Sequence, residues 1–227
     1  MTINNTATQV FDAVVVSNGH YSTSFVPDMR NIKEFNEAYP RIITHSKQYR
    51  TPYRFKDRKV VVEARFFICA ASYTSRPTAS LGCEEMAEIE EFLVEEKGVL
   101  FRDGRRETDV DAIVFCTGFP YSYPFLRDLD HKLITTGRGV HGLYQHVFHI
   151  RHPTLVFPGL NMKAAPWPLA ESQAALFAAV WSNNIKLPSQ AFMEAWSMEL
   201  ETQTGGALHM FGPDGDGSTS AGCMIWS

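Results

Sequence analysis

The feature that most constrains this chain is a repeated strand ending. Asp12-Ala13-Val14-Val15-Val16-Ser17-Asn18-Gly19 aligns without gaps to Asp111-Ala112-Ile113-Val114-Phe115-Cys116-Thr117-Gly118. Each copy is a short apolar run rich in β-branched side chains, which suits a strand buried on both faces of a sheet. Each then closes on a small polar residue and a glycine, the residue that turns backbone into positive φ without steric cost. Such strands build open α/β sheets, in which ligands sit beyond the carboxyl ends of the strands. The repeat therefore predicts an α/β fold and puts Asn18, Gly19, Thr117 and Gly118 where a cofactor would meet bare backbone. A single glycine turn is equally well explained as the ordinary end of a buried strand; the matched pair favours the ligand.

Other segments fill in the architecture. Lys59-Val60-Val61-Val62 starts a further strand, and Pro153 to Gly159 reads as another. Glu84 to Glu96 has Met86, Ile89 and Leu93 on one side and glutamates on the other, the spacing of a helix, with Gly98 as its stop. Asp103-Gly104 between extended runs signals a hairpin. An alanine-rich helix is predicted from Leu169 to Trp181, with Pro166 and Pro168 just ahead of it. A last helix is predicted from Gln190 to Glu201, where Phe192, Trp196 and Leu200 recur every four residues. The glycine- and serine-rich tail from 205 to 227 is expected to be disordered.

Length limits how much of this can be complete. At about 150 residues per domain, 227 residues make one large core but not two full nucleotide-binding domains. Lys plus Arg number 21 against 25 Asp plus Glu, a net charge of −4, which argues against a polyanion-binding surface and so against a nucleic-acid partner. The hydrophobic share of 44% excludes a disordered chain. Cys69, Cys83, Cys116 and Cys223 form no Cys-x-x-Cys pair, so neither a zinc site nor a disulfide framework is indicated, and a reducing, cytoplasmic setting is expected. The N-terminus lacks a signal-peptide pattern, and no apolar stretch is long enough to span a bilayer.

Taken in order, these residues resemble the flavin-containing monooxygenase family. Val110 to Phe119 looks like that family's Asp-to-Thr-Gly-aromatic strand, and Phe11 to Tyr21 like its earlier strand ending in Asn-Gly-His. Tyr39 to Tyr49 resembles the fingerprint Phe-x-Gly-x-x-x-His-x-x-x-Tyr: His45 and Tyr49 fit, while Tyr39 and Arg41 replace the Phe and Gly. Gly142 to Phe148, Pro153 to Phe157 and Glu171 to Ala174 resemble the family's C-terminal half. The resemblance implies a partial two-dinucleotide-binding-domain, Rossmann-like flavoprotein fold. Its parts would be a remnant of the FAD domain and linker over 1–58, a truncated NADPH-type domain over 59–118 and the C-terminal part of the FAD domain over 119–204. It implies FAD and NADPH as cofactors and oxygenation of a small molecule at nitrogen, sulfur or beside a ketone. It adds His45 and Gln173 to the cofactor contacts, Gln173 through the positive end of the alanine-rich helix. The cofactors carry the chemistry in this family, so no catalytic side chain and no metal ligand is assigned.

The departures concern phosphate. The family carries two Gly-x-Gly-x-x-Gly turns, each setting bare amides and a helix N-terminus against a pyrophosphate. The first is expected ahead of Phe11, in a region this chain does not possess. The second is expected after Val62, where Glu63-Ala64-Arg65-Phe66-Phe67-Ile68-Cys69 has no glycine. Gly137-Arg138-Gly139-Val140-His141-Gly142 matches the pattern literally but is read as a surface turn. His141, His146, His149 and His152 are read as framework residues, and Cys116 as small packing. The alternative to an oxygenase is thus a non-catalytic remnant, or the product of a misassembled gene, that holds FAD and NADPH poorly.

Overall fold

A computed structural model describes residues 2–3, 7–63, 86–129, 132–162, 165–205 and 208–209. The chain divides into two compact units, Met1–Ser22 with Pro120–Ser227, and Thr23–Phe119. In chain order the elements are β1 (Thr2–Ile3), β2 (Ala7–Thr8), β3 (Val14–Val15), α1 (Ile32–Ala38), β4 (Ile43–His45), β5 (Val60–Glu63), β6 (Ile89–Leu93), β7 (Gly98–Phe101), β8 (Arg106–Glu107), β9 (Ala112–Phe115), β10 (Leu143–Tyr144), β11 (Phe148–His149), β12 (Leu155–Val156), α2 (Pro166–Trp181) and α3 (Gln190–Thr204). Parallel ladders, an antiparallel hairpin layer and packed helices make this the mixed α/β fold that the strand repeat predicts. Among the described residues no helix is long and apolar enough to cross a membrane.

In the Thr23–Phe119 unit, β9 lies between β4 and β5 and is parallel to both. Register fixes which side chains share a face, because successive residues of a strand alternate. Ile43, Val61, Ile113 and Phe115 face a core closed by Phe35 of α1 and by Phe92, Val99 and Phe101 of the hairpin layer. Val60, Val62, Val114 and Cys116 face the other way and line, with Tyr49 and Phe55, an apolar cleft of about 610 Å³. Parallel strands are apolar on both faces because both are normally covered; here Val62 is 58% exposed.

The helix expected over Glu84 to Glu96 is not formed where it is described. Residues 89–93 are instead a strand paired antiparallel with β7. A bulge between Ile89 and Glu91 breaks the alternation there. It inserts an extra residue, so the inward side chains are Ile89 and Phe92, not the Ile89 and Leu93 of the helical reading. Asp103-Gly104 does turn the chain between β7 and β8, with Gly104 at φ 86°. Gly98, read as a helix stop, is a strand residue whose missing side chain lets the carbonyl of Glu107 approach.

In the other unit, β10, β11 and β12 run antiparallel and β3 joins β12 in parallel. Val16, Tyr121, Leu155 and Phe157 form one core cluster, and Tyr144, Phe148, Leu176 and Met193 another. The alanine-rich helix starts at Pro166, so both prolines lie within its first turn, where no intrahelical donor is lost. Ser189 caps α3 by accepting from Phe192 N, and Gly205 ends it in the left-handed region. The expected disorder of the tail falls mostly outside the described residues; of those that are described, Leu208 and His209 are buried.

A Cβ at Gly98 would stand 2.1 Å from the Glu107 carbonyl oxygen, a backbone atom that moves only with β8, whereas one at Gly104 meets nothing within 4 Å. Urea denaturation should find Gly98→Ala destabilised by about 3 kcal/mol. Gly104→Ala should lose only about 1 kcal/mol, from its left-handed backbone. Equal losses would contradict the packing role of Gly98.

Candidate functional site

The Thr23–Phe119 unit brings three of the predicted residues together. Parallel pairing sets His45 beside Phe115 at the carboxyl end of β4 and β9. Three residues further on, the Gly118 carbonyl accepts from Phe25 N at 3.1 Å and from His45 Nε2 at 3.2 Å. Thr117 Oγ1 donates to the Phe25 carbonyl. His45 Nδ1 accepts from Lys47 N at 3.1 Å, so the ring is the neutral tautomer protonated on Nε2. Burial holds its pKa below the usual histidine value, with the Lys47 charge adding in the same direction. The side chains of His45 and Thr117 thus hold the strand end in place. What remains open is the backbone itself: Gly118 has φ 82°, and nothing lies within 4 Å of where a Cβ would be.

The strand repeat is matched in the other unit. Gly19 follows β3 at φ 72°, also with nothing within 4 Å of a would-be Cβ, and Asn18 is exposed. Its parallel neighbour β12 ends the same way, in Gly159 at φ 76° with the same open space. Gln173 lies at this end too, but not at the start of its helix: α2 begins seven residues earlier, so the helix's positive end is two turns away. The side chain is fully buried rather than exposed. Its Oε1 accepts from Gly159 N at 2.8 Å, and its Nε2 donates to Asn161 Oδ1 at 3.2 Å. Asn161 is not singled out by the strand repeat, because it follows its strand-ending glycine by two residues, whereas Asn18 and Thr117 precede theirs. Its Nδ2 is buried and has no hydrogen-bond partner among the described residues.

Both ends leave a left-handed glycine bare, which allows close approach of a flat group, and Asn161, two residues past Gly159, keeps an amide nitrogen without a partner among the described residues. The end of β5 does not fit a pyrophosphate. Glu63 is 4% exposed there, and its carboxylate accepts from Ile89 N at 3.3 Å. A phosphate brought up to Glu63 would meet a buried carboxylate. The Gly137–Gly142 run is no phosphate loop either, since the strand β10 follows it and not a helix. A Cβ on Gly137 would strike Pro120 at 2.5 Å, and one on Gly139 would strike Leu208 at 2.9 Å, so these glycines serve packing.

His141 and His146, with His209 beside them, are tied into the framework by hydrogen bonds. His141 pairs with Glu201 at 2.9 Å and meets Thr135 Oγ1 at 2.8 Å. His209 Nε2 accepts from Val140 N at 2.9 Å, so its proton is on Nδ1, and Nδ1 donates to His146 Nδ1 at 3.1 Å. Burial pushes His146 down to about 4 and His209 well below the usual histidine value. Both rings are therefore neutral, and adding a proton to either breaks the relay. Cys116 is exposed rather than packed, and partial burial raises its thiol pKa, which leaves it a poor nucleophile.

The chain is matched by the family model described as flavin-binding monooxygenase-like, over residues 1–65 and 84–209. It is 32% identical over 203 residues to a flavin-containing monooxygenase of the GS-OX-like group from Arabidopsis thaliana, covering 80% of this chain and 42% of that protein. It is 30% identical over 209 residues to a trimethylamine monooxygenase from Roseovarius, covering 84% of this chain and 45% of that protein. Among solved structures, S-allyl-L-cysteine S-oxygenase from Allium sativum superimposes with a TM-score of 0.73 at 29% identity, over 94% of this chain and 54% of that one. The chain thus spans about half the length of the relatives it matches.

The relay sets a pH dependence of stability. A histidine lowered from 6.5 to about 4 on folding leaves the unfolded chain binding more protons between those values. Its stabilisation is therefore complete above about pH 6.5 and is lost as pH falls towards 4, by about 3 kcal/mol in all for His146. Urea unfolding at pH 7.5 and 4.5 should show this loss, and His146→Asn, which keeps an acceptor for His209, should remove most of it. An unchanged pH slope in H146N would assign the loss elsewhere.

Proposed function

The chain belongs to the flavin-binding monooxygenase-like family, and on that footing we propose that it binds FAD and takes part in NADPH- and oxygen-dependent oxygenation of a small organic molecule. The observation that carries the reading is the pair of bare strand ends at Gly19 and Gly159, backed by the buried Gln173 and Asn161 amides. When bound, flavin supplies the redox and oxygen chemistry. The residues of this chain position its ring: Gly159 and Gly19 admit it, and Gln173 fixes the loop that carries Gly159. Asn18 stands exposed beside Gly19 at the mouth of the same end. In the other unit Gly118 offers a cofactor the same bare backbone, with its carbonyl pinned by His45. In domain terms, 1–58 and 119–204 serve FAD and 59–118 is the NADPH-type part.

One relative is named for a tertiary amine and one solved neighbour for a thioether. Both groups present a lone pair to an electrophilic oxygen, so we propose a small amine or sulfide as substrate, with ketone oxidation as the alternative. The setting we propose is cytoplasmic.

Glu63 favours a second reading for the reductant. With a carboxylate where a dinucleotide phosphate would dock, the chain by itself takes NADPH poorly, and on this reading it is a non-catalytic member that retains only the flavin-ring site. The two readings separate in one experiment. The purified chain is mixed with FAD, passed through gel filtration, and the flavin-loaded fraction is given NADPH in air. Co-eluting flavin and steady NADPH consumption support the oxygenase. Co-eluting flavin with no consumption supports the second reading; flavin that elutes free of protein defeats both and leaves the non-catalytic remnant that holds FAD and NADPH poorly.

A further inference from the structure

We propose that the cleft on the face of the β4–β9–β5 sheet away from its core is a binding site for a small organic anion with an apolar body and a single negative head. The floor of the cleft follows from register. Val62 and Val114 are paired neighbours on β5 and β9, so their side chains stand together on that face, and Cys116 continues the row. The wall comes from the short helical turns that join β4 to β5. There Tyr49 and Phe55 stack with ring centroids 5.9 Å apart and planes 9° apart, and both line the cleft. Its volume of about 610 Å³ falls in the range of small-molecule sites. Val62 is 58% and Tyr49 49% exposed, so this apolar surface stands open to solvent.

The charge around the cleft sets the head group. Residues 41–59 carry seven Lys and Arg against one acid, Asp57, in a chain whose net charge is −4. Among the described residues that line the cleft, Lys56 is the one charged side chain, and there is no carboxylate. Two more cations are anchored to lining residues. The Arg54 guanidinium lies over the Phe55 ring at 5.8 Å, and Arg50 donates to the Tyr49 carbonyl at 2.8 Å. Among the described residues no carboxylate pairs with Arg50, Arg54 or Lys56, whereas Lys59, where the segment meets β5, pairs with Glu107 at 3.2 Å. A neutral or cationic ligand would strip water from the Lys56 ammonium without replacing it. A carboxylate or sulfonate replaces that water with a charge-assisted hydrogen bond. The site is separate from the proposed cofactor contacts: none of Asn18, Gly19, His45, Thr117, Gly118 and Gln173 lines it, so it stands whether or not flavin binds.

The test uses decanoate and decyltrimethylammonium, which share one alkyl chain and differ in the sign of the head. Each is titrated into the full chain by calorimetry, below its micelle-forming concentration. Cys116 supplies a local reporter, because its thiol lines the cleft and is exposed. Its alkylation by N-ethylmaleimide, read at that peptide by mass spectrometry, slows when the cleft fills. Decanoate should bind at least about tenfold more tightly than decyltrimethylammonium, equivalent to about 1.4 kcal/mol, and should slow alkylation of Cys116. Lys56→Gln, an exposed change that leaves the floor intact, should weaken decanoate about fivefold and leave decyltrimethylammonium unchanged. Val62→Asp sets a carboxylate on the floor and should weaken decanoate at least as much. Equal affinity for the two heads, unchanged alkylation of Cys116, or wild-type decanoate affinity in K56Q each overturns the proposal. A chain that ignores free decanoate but sediments with phosphatidylglycerol vesicles overturns it in favour of a lipid contact. Protection of Cys116 that rises with protein concentration alone overturns it in favour of an interface between two copies.

Discussion

Each parallel ladder in this protein depends on a strand that stops abruptly and leaves its last backbone groups uncovered. A left-handed turn does this most cheaply, and only glycine enters that region freely. Gly19, Gly118 and Gly159 each stand within four residues of the end of a parallel strand, and each has open space where a side chain would be. Once the turn is made, neighbouring groups lock it. The Gly118 carbonyl takes two hydrogen bonds and the Gly159 amide gives one. Packing beneath the sheets is apolar and tolerant by comparison; these few polar contacts are the ones with a direction.

On the proposed reading, the same division separates two kinds of recognition. Seating a flat ring needs open access, and the bare glycines at the β3–β12 end leave it. Phosphate recognition needs several convergent amides, and the end of β5 offers a buried carboxylate instead. The two demands are separable in physical terms, because one is met by shape and single hydrogen bonds and the other by summed backbone dipoles.

What was legible in the sequence follows the same line. The strand endings could be read because the whole pattern lies within eight consecutive residues, and Asp103-Gly104 because a turn is a local event. The strand at 89–93 is hidden because its bulge breaks the two-residue alternation, leaving Met86, Ile89 and Leu93 at helical intervals in the sequence. Asn161 and Gln173 meet across twelve positions that join a strand end to the middle of a helix, and no local period records such a meeting. Gln173 enters from resemblance as a residue at the start of its helix, whereas it lies buried two turns in, holding the Gly159 amide. His209 stands outside every periodic segment, in a stretch whose composition reads as tail.

The histidine relay has a consequence for how the sequence can drift. His209 must accept from a backbone amide at one ring nitrogen and donate to a second side chain from the other. No other side chain presents a neutral acceptor and a donor on opposite edges of one small rigid ring. His146 has the looser task, since any acceptor of similar reach serves. Substitution at 146 is therefore open to several residues, while substitution at 209 strands both neighbours at once. The less conspicuous of the two, embedded in a glycine- and serine-rich stretch, is the one that evolution has the fewest ways to replace.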